Sequence, residues 1–291
     1  MGRLNQKMLE KDITNQLIVG IDEFASETKK SAGWCFFCLP EKAYKQFSFE
    51  ANQILITSGK IKSFHGKKFN ESQSGEYNKF LSLIKKYTEA YFPSLRSSTL
   101  LSIKQKKDFD LYCSNQIEEY FKQVRPKELN IVKHYKPEAG YLLFLLKVLQ
   151  RFGRNYQFRL EIDNDTNKNN IIKETKLFSK KQNYAEEIIY NFYNNYRVVS
   201  EYKDSPLLIK NGVSFLNDTK SFAIQAADVM GNFSMAYLFY KLGDKSKKRN
   251  LKARLFFDCF GDSIEESTLK KIILSGNDIE LSVYGSIDFD I

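Results

Sequence analysis

A chain of 291 residues, 42% hydrophobic and 27% charged, can bury a full core as one large domain or two small ones, which excludes a disordered chain. Its longest apolar run, residues 141–146, falls far short of the roughly 20 residues that a spanning helix needs, and residues 1–16 lack a signal-peptide core. A soluble, cytoplasmic protein without a membrane partner is expected. Four cysteines and two histidines exclude a disulfide scaffold and leave carboxylates, lysines and aromatics to carry the chemistry. The net charge is +10, but from Asp258 onward eight acids face two lysines, so the −6 of the tail leaves +16 on residues 1–257. A polyanionic partner follows. With nine arginines among 45 basic residues, diffuse phosphate contact is expected in place of base reading.

In chain order, residues 17–21 form an unbroken apolar run ending in Asp22 and Glu23, which reads as a buried central strand with acids at its carboxyl end. Residues 34–39 and 46–57 read as two further strands. Helices are predicted over 76–91, with Phe80, Leu83, Ile84 and Tyr87 at helical spacing, and over 108–124, stopped by Pro126. A strand over 129–132, a helix over 138–152 that is apolar all round, and a strand over 156–162 make one βαβ unit. Then come a polar loop over 164–170, a helix over 184–196, a strand over 197–202, and a passage through Pro206 and Gly212 to Asp218. A long helix over 221–242 follows, then a basic loop from Lys245, another helix and a strand over 279–284. The expected organisation is one α/β domain over 1–244, with helical additions and an acidic C-terminal extension, 245–291, packed on it.

Cys35 and Cys38 are three apart in a strand, so they point to opposite faces and cannot chelate one ion. There is no phosphate-binding glycine fingerprint, no G-x-S-x-G and no H-E-x-x-H, which removes P-loop, serine esterase and zincin chemistry. His65 and His134 could serve as the acid and base of a metal-independent ribonuclease, though nothing in the sequence brings them together.

The carboxylates say more. Asp22 and Asp163 each follow an apolar strand, and Asp228 sits inside an otherwise apolar helix. Ser221, Gln225, Asp228 and Asn232 are spaced 4, 3 and 4, so they share one helix face, read here as facing a polar internal site. Asp218 precedes that helix, where an acid is a natural N-cap. Mg²⁺ prefers octahedral oxygen ligands and keeps several waters, so a few carboxylates from different elements can hold one or two ions. Such ions suit phosphodiester cleavage.

The motifs Leu17-Ile18-Val19-Gly20-Ile21-Asp22-Glu23, Phe64-His65-Gly66-Lys67, Leu160-Glu161-Ile162-Asp163 and Asn217-Asp218-Thr219-Lys220, the last leading to Ile224-Gln225-Ala226-Ala227-Asp228, resemble the family catalogued as domain of unknown function 3800. The resemblance implies a ribonuclease H-like mixed β-sheet flanked by helices, as found in bacteria and their phages. It implies metal-ligand roles for Asp22, Asp163 and Asp228, with Glu23 and Asp218 in support and Gln225 orienting a ligand. Phe24 stands where that family usually has serine, and Ser63 where it usually has an acid, so His65 or Asp165 is expected to compensate. The expected activity is a Mg²⁺- or Mn²⁺-dependent nuclease acting on DNA or RNA, with a role in phage defence or mobile-element biology. Lys67, Lys68, Gln225 and Lys220 are expected to contact substrate. The alternatives are a catalytically inactive nucleic-acid-binding or partner-docking module and the histidine ribonuclease; a homodimer or a partner protein stays open.

Overall fold

The computed structural model describes residues 16–26, 31–91, 95–100, 149–163, 203–241, 245–261, 271–276 and 279–288, with isolated positions between 111 and 146, between 189 and 198, and at 243. Strands β1 (Gln16–Ser26) and β2 (Ser31–Pro40), helices α1 (Glu41–Ser58) and α2 (Ser74–Tyr91) and strand β3 (Leu95–Leu100) form the first part. Strands β4 (Gln157–Asp163) and β5 (Leu207–Leu216), helices α3 (Phe222–Lys241) and α4 (Lys247–Phe260), and strands β6 (Lys271–Gly276) and β7 (Ile279–Asp288) follow. The strands make one mixed sheet in the order β5-β4-β1-β2-β3-β7-β6. β1 runs antiparallel to β2 and parallel to β4, and β5 continues the parallel side.

β1 is hydrogen-bonded on both sides and covered on both faces, which is why its sequence runs apolar without alternation. Leu17, Val19 and Ile21 enter one core with Trp34, Phe36 and Cys38 of β2, Phe158, Leu160 and Ile162 of β4, and the helical residues Leu145, Leu146, Leu149 and Tyr193. Ile18 enters the other, with Cys35, Phe37 and Leu39 of β2 and the helices α1 to α4. The two cysteines thus lie in different cores, as their spacing requires. α3 is buried on nearly every side because it lies between the sheet and α4. At Gly20 it comes so close that a Cβ would sit 2.3 Å from the Ala223 carbonyl carbon, so β1 needs glycine there.

Several expectations are corrected. Residues 46–57 are not a strand but most of α1, where Ala43, Phe47 and Ala51 recur every four residues and are buried. This helical period decides the element, and Gly59, at φ 61°, caps the helix through Leu55 O. Arg197 and Val198 are helical; the strand comes after Pro206, as β5, which bulges at Asn211 with φ 58°. The basic stretch after Lys245 is helix from Lys247 onward, and β6 and β7 pair beside β3 within the main sheet. The described positions of the predicted helix over 108–124 are helical. The predicted strand over 129–132 with His134, and the loop over 164–170, lie outside the described residues. Among the described residues no helix is long and apolar enough to cross a membrane.

Candidate active site

Parallel pairing aligns Gly20 with Glu161 and Ile21 with Ile162, so the next residues, Asp22 within β1 and Asp163 at the end of β4, stand at the same level where the parallel pairing stops. Neighbouring strands lie about 4.8 Å apart, so two carboxylates at this level are within reach of one another. Asp22 pairs with Cys35, which lies in the core on the α3 side, and directly opposed residues share a face. Glu161 is two residues before Asp163 and therefore on the same face of β4. Its Oε2 accepts hydrogen bonds from Ser221 Oγ at 2.5 Å and Tyr44 Oη at 3.2 Å. Glu23 is different: it pairs with Trp34, which lies in the opposite core, so the strand turns it away from Asp22.

The N-terminus of α3 organises the second half of the site. Ser221 caps it by accepting the Ile224 N–H at 3.0 Å while donating to Glu161. Asn217, not Asp218, caps the preceding 3₁₀ turn, by accepting from Thr219 N. The Asp218 carboxylate is thereby left to contact His65, with Oδ2 2.7 Å from Nδ1. The other imidazole nitrogen, Nε2, is 2.8 Å from Ser63 Oγ. Ser63, His65 and Asp218 therefore form one hydrogen-bonded chain.

The polar stripe of α3 holds the loop that carries this histidine. Gln225 Oε1 accepts the Phe64 N–H at 2.9 Å, and its Nε2 donates to Asp218 O at 3.0 Å. Asp228 Oδ2 accepts the Gly66 N–H at 2.9 Å and lies 3.8 Å from His65 Nδ1; Oδ1 accepts from Asn232 Nδ2 at 2.6 Å. A Cβ on Gly66 would come 2.5 Å from the Asn232 side chain. From the other side, Tyr77 Oη accepts the His65 N–H and donates to its carbonyl, both at 2.9 Å. Phe64 is fully buried and stacks on Phe80 with ring centroids 3.9 Å apart.

Burial pushes the Tyr77 hydroxyl up to about 12, with the Asp228 charge adding to it. Burial, followed by the Glu161 charge, raises Tyr44 to about 12. Lys252 of α4 is 7% exposed and lies over the Phe233 ring at 5.7 Å. Burial lowers its amine to about 8, nearby Lys248 adds to this, and the Asp228 charge pulls the other way.

The structure thus gathers His65, Asp218, Gln225 and Asp228, sets Asp22 beside Asp163 on the same side of the sheet, and leaves Lys67, Lys68 and Lys220 exposed around them. Sequence reasoning missed Glu161, Tyr44, Tyr77, Lys252 and the pairing of Ser63 with His65. Glu161 carried a usable signal, since period-two alternation puts it on the face of Asp163. Lys252 carried none, because it looks like one more lysine of a basic segment.

Among the described residues, no group of three or more histidine, cysteine or acidic side chains is arranged to hold a metal ion. The half-buried oxygen donors of Asp22 and Asp163 nevertheless suit a hard cation, because Mg²⁺ is commonly held by one or two carboxylates with water and substrate phosphate completing the shell. Comparison with protein-family models, with curated proteins and with solved structures found no match.

Proposed function

We propose that the chain is a ribonuclease H-like nuclease that hydrolyses phosphodiester bonds of nucleic acid. The observation that carries this reading is the register of Asp22 and Asp163, two acids on adjacent parallel strands of a mixed sheet, side by side where the pairing of those strands stops. Three further features support it: the antiparallel β1-β2-β3 arrangement continued by parallel β4 and β5, the motifs resembling domain of unknown function 3800, and the basic charge. A role in phage defence rests on that resemblance.

Asp22 and Asp163 would hold Mg²⁺ or Mn²⁺, which when bound supplies charge neutralisation and water activation at a phosphodiester. Glu161 orients the start of α3 through Ser221. Asp228 and Gln225 are positioning residues: their bonds to Gly66 and Phe64 fix the loop that presents His65, Lys67 and Lys68. The exposed lysines attract phosphate without reading sequence.

The test is a panel of labelled single- and double-stranded DNA and RNA incubated with Mn²⁺ or with EDTA. Cleavage that needs the metal and disappears in Asp22→Asn supports the reading. Binding without turnover under every condition would favour an inactive docking module.

The Ser63–His65–Asp218 chain favours a second, metal-independent reading. The Ser63 hydroxyl would attack the scissile centre and pass its proton to His65 Nε2, the imidazolium held by Asp218 would return it to the leaving oxygen, and water would then release the serine-bound group. Cleavage in EDTA that is lost in Ser63→Ala and kept in Asp22→Asn would decide for this route.

A further inference from the structure

Away from the carboxylates, at the C-terminal end of α3, a cleft of about 450 Å³ opens between α3 and α4. Its walls are aromatic and its rim is cationic. Tyr240 and Phe257 are 51% and 50% exposed, large apolar surfaces that the fold leaves in solvent. Behind them, Tyr237 stacks on Phe257 with ring centroids 5.8 Å apart, and Lys241 lies over the Tyr237 ring at 5.5 Å. Arg254 completes the rim, engaged with Asp258 at 3.6 Å in an exposed pair that a phosphate could displace.

The charge continues along α4. That helix carries five basic residues against one acid, and Lys247, Arg254 and Phe257 fall on one face at helical spacing. From Phe257 the face leads back about 15 Å to Lys247. At that end Lys247 contacts Glu71 at 3.5 Å and Lys248 donates to Lys67 O at 3.3 Å, beside the loop that carries His65.

We propose that the cleft is a stacking site for the bases of single-stranded nucleic acid, whose phosphates follow α4 to Lys67 and Lys68. Exposed rings with cations at their edges suit this ligand, because every base offers a π-face and the backbone an anion at each step. A duplex buries its bases and cannot use Tyr240 and Phe257. The inference goes beyond the cleavage reading, since binding here requires neither the carboxylates nor a metal.

The experiment is fluorescence anisotropy on the full chain in EDTA, with a labelled single-stranded oligonucleotide and the matching duplex. The single strand should bind at least tenfold tighter. The double variant Tyr240→Ala/Phe257→Ala should lose about tenfold or more of that affinity while duplex binding stays unchanged. Tyr240→Phe, which keeps the ring, should retain it. Arg254→Gln should weaken both ligands and flatten the salt dependence by about one ion. Both aromatics are half-exposed, so the variants should stay folded, the double variant melting a few degrees lower for the lost Tyr237–Phe257 stacking. Equal binding of strand and duplex, unmoved by the aromatic variants, would overturn the proposal. So would a concentration-dependent dimer that Tyr240→Ala dissociates, which would make the cleft a protein interface. Failure to cleave in Mn²⁺ with strand-selective binding intact would count against the nuclease reading and leave this site standing.

Discussion

Gly66 donates its backbone N–H to Asp228 Oδ2 at 2.9 Å across 162 residues of sequence. With Gln225 holding Phe64 in the same way, two side chains of one helix replace the secondary structure that residues 63–66 lack. Asp228 is therefore a structural acceptor, whatever else it does. Asp228→Asn should destabilise the fold by about 1–3 kcal/mol, because an amide that still accepts from Gly66 must turn its NH₂ toward the NH₂ of Asn232. Asn232 cannot flip in compensation without losing its bond to Asp228 O. Urea unfolding measures this, and an unchanged midpoint would show that the loop does not depend on the contact.

If Asp22 and Asp163 share a cation, Mn²⁺ should raise the melting temperature of the wild type. Binding to the folded state alone contributes about 2.7 kcal/mol at a hundred times Kd. Asp22→Asn should abolish the rise and the metal-dependent cleavage together. An equal thermal shift in the variant would place any bound metal elsewhere.

Lys252 makes stability depend on pH in a definite direction. Its folded pKa of about 8 lies below the ordinary 10.5, so between these values the unfolded chain binds more protons and stability rises with pH. The penalty is fully present below pH 8. Above pH 10 the buried Tyr44 and Tyr77, held protonated to about 12, reverse the slope. Lys252→Met should gain about 1–3 kcal/mol at pH 7 and lose the rise between pH 8 and 10. Equilibrium unfolding across that window reads both effects, and a parallel pH profile in the variant would exclude Lys252 as the source.

Gly20→Ala should be among the most damaging substitutions of small size. The new methyl would meet the backbone of Ala223, which has no rotamer to yield, so strand and helix must separate at a cost of about 3 kcal/mol or more. Circular dichroism melts of Gly20→Ala beside Gly75→Ala provide the comparison, since nothing lies within 4 Å of a Cβ at Gly75. Similar melts for the two would refute the close approach.

The sequence by itself determined the elements whose periodicity is strong. The apolar run of β1 ending at Asp22, the strand ending at Asp163, the 3.6-residue spacing of α2 and the all-apolar α3 with its single polar stripe can be read without coordinates, because local burial writes those patterns directly. In α1 the helical period of Ala43, Phe47 and Ala51 begins before residue 46, so a strand drawn over 46–57 cuts across it. Pairing is not local. Nothing in residues 16–21 says that their parallel neighbour is 157–162, and nothing in the stripe of α3 says that its polar partners are the amides of Phe64 and Gly66. Only the tertiary structure decided that Glu161 anchors α3, that Asn217 frees Asp218 for His65, and that Lys252 is buried. Each of these depends on which groups of distant sequence lose their water together, and a buried polar atom takes whichever partner the packing brings to it.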